Sequence, residues 1–271
     1  MGMQESDRRM QNENSAVRCK TLKIFFSFLV IILSLSESNS ADRVRASTVH
    51  YTSGKDSVSA YLAVPEGKGP FAAVVVIHEW WGLNEWVRET AKKIASDGYV
   101  TLAVDLYRGK VADSSDAAHE LMRGLPEDRA ARDLVAAVEF LRSRPDVNPK
   151  KIGSIGWCMG GGYSLTAALS VPDLAACIIC YGRLVTDSSS IEKIRCPILG
   201  IFGEEDRGIP PESVREFEAA CKKADKSIEV QIYKGAGHAF LNPNNKKGFR
   251  EEAAKNAWGR INSFLARILK K

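Results

Sequence analysis

The sequence predicts an α/β fold: a doubly wound, mostly parallel sheet with helices on both faces, opened by an N-terminal antiparallel hairpin. Three observations carry this expectation. Residues 46–53 and 58–64 alternate polar and apolar side chains around Gly54-Lys55-Asp56, the pattern of a half-exposed hairpin. Phe71-Ala72-Ala73-Val74-Val75-Val76-Ile77 is then apolar throughout, as in a strand covered on both sides. From there apolar runs alternate with amphipathic stretches to the C-terminus, the order from which parallel sheets with crossover helices are built.

Taken in order, residues 1–40 stand apart. Arg18, Lys20 and Lys23 precede an apolar run from Ile24 to Leu35, and Ser38 and Ser40 are small residues ahead of Ala41. The run of about 12 residues falls short of the roughly 20 that cross a bilayer as a helix, so it reads as a cleaved secretory signal, with an uncleaved anchor as the alternative. The opening Met1-Gly2-Met3-Gln4-Glu5-Ser6 also fits the loose myristoylation pattern, and a start at Met10 would account for the charged lead. Cleavage implies an exported, periplasmic or secreted protein. Without it the protein would be cytoplasmic or membrane-anchored. Residues 41–271 then form one domain, large enough for a single core. Helices are expected at 85–96, 126–143, 159–170, 211–223 and 249–269. Between them, strands are expected at 99–105, 151–156, 174–181, 197–203 and 228–233.

Composition narrows the function classes. A net charge of +5 is spread along helices among acidic residues, with no basic block and no interleaved aromatics, so nothing points to nucleic acid. Six cysteines include Cys19 in the leader. The rest, Cys158, Cys177, Cys180, Cys196 and Cys221, are odd in number. Cys177 and Cys180 lie three apart on an apolar strand and face opposite sides, so they neither bond each other nor share a metal. Four histidines are scattered without H-E-x-x-H or paired C-x-x-C spacing, which speaks against a metal site. No cofactor is expected. His50 and His119 read as surface residues, and His78, ending the central strand, as a shaper of the following loop or a second base.

The chemistry centres on Gly156-Trp157-Cys158-Met159-Gly160, a strand-to-helix turn of the G-x-S-x-G form with sulfur in place of the hydroxyl. Glycines flank it because a Cβ there would collide with neighbouring backbone. The helix N-terminus behind Cys158 favours a thiolate, and later an oxyanion. A phosphate cradle is the rival reading, but neither glycine-rich phosphate spacing is present. A nucleophile needs a base, and the base a carboxylate to orient it. His238 follows the strand at 228–233, and a polar loop with Glu204, Glu205 and Asp206 follows the strand at 197–203. The order nucleophile, acid, histidine is that of the α/β-hydrolase fold, with the acid left open among the three carboxylates.

From about Ser47 onward the chain resembles the dienelactone hydrolase family, the carboxymethylenebutenolidases. The resemblance rests on His78-Glu79-Trp80-Trp81-Gly82-Leu83-Asn84, Arg88-Glu89-Thr90, Ala103-Val104-Asp105-Leu106-Tyr107-Arg108, the Cys158 turn, the Asp206 loop and Gly237-His238-Ala239-Phe240. It implies Cys158 as nucleophile, His238 as base and Asp206 as the acid. It further implies that Glu79 contacts the resting cysteine and takes its proton, and that the Trp80 and Met159 N–H groups form the oxyanion hole. Arg108 falls near the first of two family arginines that grip a substrate carboxylate, and Arg183 could assist it. The position of the second arginine is Asn242, a departure that weakens the expected hold on an anionic lactone.

The expected activity is therefore hydrolysis of small carboxylic esters or lactones through a thioester acyl-enzyme, by a monomer whose partner is the small-molecule substrate. Two other classes compete: an exported binding protein that retains the hydrolase shell, and a redox-sensing thiol protein. An intact triad argues against the first. The second lacks a resolving cysteine near the turn.

Overall fold

The computed structural model describes residues 44–270. The leader at 1–40 and the cleavage expected before Ala41 lie outside them. Among the described residues no helix is long and apolar enough to cross a membrane.

The hairpin forms as expected from β1 (Val44–Ser53) and β2 (Asp56–Pro65), turning at Gly54 with φ +61°. The alternating helices and strands follow: β3 (Phe71–Ile77), α1 (Glu85–Ser96), β4 (Val100–Val104), α2 (Ser115–Arg123), α3 (Glu127–Arg142), β5 (Val147–Trp157) and α4 (Met159–Ser170). The C-terminal part is β6 (Ala176–Cys180), α5 (Ser188–Ile191), β7 (Ile198–Gly203), α6 (Pro211–Lys223), β8 (Ile228–Tyr233) and α7 (Glu251–Leu269). The eight strands form one sheet in the order β1-β2-β4-β3-β5-β6-β7-β8. β2 is antiparallel to β1 and β4, and every pair from β4 to β8 is parallel.

Burial explains why the strands read as they do. β4, β6 and β7 are buried at every position because helices cover both faces. One face packs Leu134 and Val138 of α3, Leu165 of α4 and Phe217 of α6. The other packs Val87 and Ile94 of α1 and Ile261 and Phe264 of α7. Cys177 lies in the first layer and Cys180 in the second, on opposite sides of β6. Because β3 to β8 run parallel, their carboxyl ends gather along one edge of the sheet, where loops carry side chains free of the ladder.

Three elements differ from the sequence reading, one being the short α5, which no expected helix covered. α2 is a full helix where only a polar helical stretch around His119 was legible, because its apolar side, Ala117, Ala118, Leu121 and Met122, is short and buries only Ala118. β5 begins at Val147 rather than at Lys151, its first residues pairing Val147 with Phe71 across a register shift.

Candidate active site

Cys158 caps α4 with φ 55° and ψ −121°, a backbone conformation costly for a residue with a side chain. Its surroundings hold it there. The Cys158 N–H donates to the Cys180 carbonyl at 3.0 Å, and its own carbonyl accepts from Gly161 N at 3.0 Å. The flanking glycines are sterically required: a Cβ on Gly156 would lie 2.0 Å from the Gly160 carbonyl oxygen, and one on Gly160 would lie 2.3 Å from the Ile77 oxygen.

His238 and Asp206 meet across two loops. His238 Nδ1 lies 2.7 Å from Asp206 Oδ2, while Asp206 Oδ1 accepts from Gly208 N at 2.9 Å and Ile209 N at 3.0 Å. Asp206 thus uses both oxygens, one to orient the imidazole and one to stay fixed. Burial pushes its carboxyl up, but the bond and charge of His238 and the two backbone donors outweigh this and hold it below its ordinary value. Burial pulls His238 down, yet Asp206 and the Cys158 sulfur raise it to about 10. Glu204 instead accepts from Gly235 N at 3.2 Å and is exposed, so of the three carboxylates in this loop Asp206 is the one that reaches the imidazole.

The loop after β3 supplies Glu79, buried to 2% exposure. Its Oε2 accepts from Asn242 Nδ2 at 2.6 Å, and its Oε1 has no partner among the described residues. Burial raises the carboxyl to about 7, with the Asn242 bond and the His238 charge opposing. His78 braces this loop. Leu106 N donates to His78 Nε2 at 3.3 Å, so the ring proton sits on Nδ1, 2.6 Å from the Glu79 carbonyl oxygen. Burial holds this ring neutral by lowering its pKa. Neither the Trp80 nor the Met159 N–H donates to a protein acceptor among the described residues.

Cys158, His238, Asp206, Glu79, Trp80 and Met159 line one cavity of about 1270 Å³, together with Arg183 and Asn242. Two of the residues expected to hold substrate sit differently. Arg108 does not line the cavity: its Nη2 lies 2.7 Å from Asp133 Oδ2 and 3.5 Å from Asp56 Oδ2. The physical reason is Asp133, a fully buried carboxylate on α3 that needs a cation. Asn242 lines the cavity but spends its amide on Glu79 and its Oδ1 on Asn244 N at 2.9 Å. Arg183 is at the rim, paired with Glu127 at 3.1 Å.

Sequence reasoning missed other lining residues. His119 packs edge-on to Trp80 with centroids 4.7 Å apart, which its polar helix gave no reason to expect. Tyr181, with φ 40° and no exposure, sets its ring 5.2 Å from His238, and its hydroxyl has no partner among the described residues. Trp81, Val111, Met122 and Ile209 add apolar lining to the cavity. Among the described residues no group of three His, Cys, Asp or Glu side chains could hold a metal ion.

A profile described as "Dienelactone hydrolase family" matches residues 58–269. The chain belongs to that family. Membership makes it a hydrolase of the carboxymethylenebutenolidase-like kind, on the α/β-hydrolase fold. A Saccharolobus solfataricus protein named "Putative carboxymethylenebutenolidase" is 32% identical over 261 residues, covering 82% of this chain and 98% of its own. "Protein usf" of Aquifex pyrophilus is 34% identical, covering 78% of this chain and 94% of its own. The crystal structure of dienelactone hydrolase from Anabaena variabilis shares the fold with a TM-score of 0.63 at 23% identity, covering 84% of this chain and 99% of that one.

Proposed function

We propose that the chain hydrolyses carboxylic esters or lactones through a thioester on Cys158. The reading rests on one observation above all: a strained cysteine at a helix N-terminus shares a cavity with a histidine whose ring is fixed 2.7 Å from a buried aspartate. The sulfur attacks the carbonyl carbon as a thiolate, its proton having passed to His238 or to the free Oε1 of Glu79. Charge develops on the carbonyl oxygen, and the unpaired N–H groups of Trp80 and Met159 are the donors available to it. As the tetrahedral intermediate collapses, the C–O bond breaks and the His238 imidazolium gives its proton to the departing alkoxide. In a lactone that oxygen stays tethered. Neutral His238 then takes a proton from water, the hydroxide adds to the thioester carbon, and the C–S bond breaks to release the acid and restore the thiolate.

Asp206 keeps the imidazole in the tautomer that can do both steps, and Glu79 acts as the resting partner of the thiol. The leader at 1–40 is proposed as an export signal, so that this chemistry would take place outside the cytoplasm. The test is p-nitrophenyl acetate turnover by purified protein. Iodoacetamide, Cys158→Ala and His238→Ala should each remove it while the folded far-ultraviolet spectrum persists. The double variant should lose little more than either single one, because residues acting as a unit are strongly non-additive. Additive losses would break the triad reading.

A further inference from the structure

The cavity bears on which esters enter it. At about 1270 Å³ it exceeds the ~300–1,000 Å³ of ordinary small-molecule pockets, far more room than a small planar lactone fills. Its depth is acidic, with Glu79 and Asp206 both buried, and no lysine or arginine is among the buried polar residues of the described chain. Arg108 is committed to Asp133 outside the cavity. The lining cations Arg183, Arg207, Lys246 and Lys247 are all exposed. A substrate carboxylate placed beside Cys158 would thus meet these carboxylates and, for a cation, the His238 imidazolium already paired to Asp206 rather than a buried lysine or arginine. The wall is the converse. Trp80 and Trp81 pack edge-to-face at 4.9 Å and line the same cavity as Met122, Ile209 and Val111, and Val111 is the one large apolar side chain exposed among the described residues, at 52%. Apolar side chains that line a reactive cavity and, at Val111, reach solvent are the kind of lining that seats an apolar ligand.

Resting on the hydrolase reading above, we propose that the site takes neutral esters with an aromatic or similarly bulky apolar body, seated on the wall of Trp81, Val111, Met122 and Ile209. The scissile carbonyl lies at Cys158, and the body runs outward along the wall toward Val111. Small anionic lactones fit neither the depth nor the size.

Two matched ester pairs test this: p-nitrophenyl acetate against p-nitrophenyl phenylacetate on the acyl side, and ethyl acetate against 2-phenylethyl acetate on the alcohol side. Each kcat/KM is divided by the ester's hydroxide-catalysed rate. The aromatic member should lead by about tenfold in at least one pair, and dienelactone should fall below it. Trp81→Ala and the surface variant Val111→Asp should each cut that ratio about fivefold or more. A ratio below about fivefold in both pairs overturns the proposal, as does a ratio that survives both variants or a lead for dienelactone. Loss of Cys158 dependence would instead sink the hydrolase mechanism, so the two failures are distinct.

Discussion

Asn242 Nδ2 donates to Glu79 Oε2 across 2.6 Å, joining the loop after β8 to the loop after β3 over 163 residues of sequence. A neutral amide thus occupies the position where the family resemblance places an arginine. It orients Glu79 without a full countercharge, and burial leaves the carboxyl at about 7.

The first prediction is a bell-shaped pH profile. In the proposed mechanism ionised Glu79 accepts the thiol proton and protonated His238 serves the leaving group, so kcat/KM should rise through about 7 and fall through about 10. The Asn242 bond lowers the Glu79 pKa, so Asn242→Leu should move the lower limb up by about one pH unit, while Asn242→Arg should move it down. Glu79→Gln should abolish that limb. A lower limb indifferent to all three would remove Glu79 from the mechanism.

The second concerns stability. Glu79 titrates near 4.5 when unfolded and about 7 in the fold, so its contribution is fully present below 4.5 and is lost as pH rises through 7. The gap corresponds to about 3 kcal/mol above pH 8. Glutamine does not ionise, so the Tm of Glu79→Gln should gain on the wild type between pH 5 and 8. Parallel Tm curves would contradict this.

The third concerns the turn. Gly160→Ala places a Cβ 2.3 Å from the Ile77 oxygen and 2.5 Å from the His78 oxygen, both backbone atoms with little freedom to retreat. The helix must shift and carry Cys158 with it. Turnover should fall about a hundredfold and Tm by roughly 5 °C or more, as read by kinetics and calorimetry.

The fourth follows from Arg108. Arg108→Ala leaves the buried Asp133 carboxylate without its closest cation, at about 3 kcal/mol in denaturant unfolding. The ratio of dienelactone to p-nitrophenyl acetate turnover should stay within about twofold of wild type, since the guanidinium lies outside the cavity. A large change in that ratio with unchanged stability would return Arg108 to the substrate site.

What was legible in the sequence was what local pattern encodes. The apolar run at Phe71–Ile77, the glycines about Cys158 and the polar loops after β7 and β8 each signal their own conformation, and their order along the chain places them on one sheet edge. Long-range pairing was not legible. Nothing near Arg108 announces that Asp133 is buried beneath it, and nothing near Asn242 announces Glu79. His119 was read as a surface residue; it is exposed, yet its ring closes on Trp80 from a helix whose single buried residue is Ala118. Side chains whose role is set by a partner far along the chain become visible only once the loops are assembled.

The central claim is that Cys158 carries the acyl group. The direct measurement is mass analysis of peptides from protein acid-quenched within its first turnovers of p-nitrophenyl acetate. An acetyl group on the peptide containing Cys158, absent after hydroxylamine treatment and absent from Cys158→Ala, is the result expected. Turnover that persists in Cys158→Ala, or an acetyl group on another residue while Cys158 stays free, would contradict it.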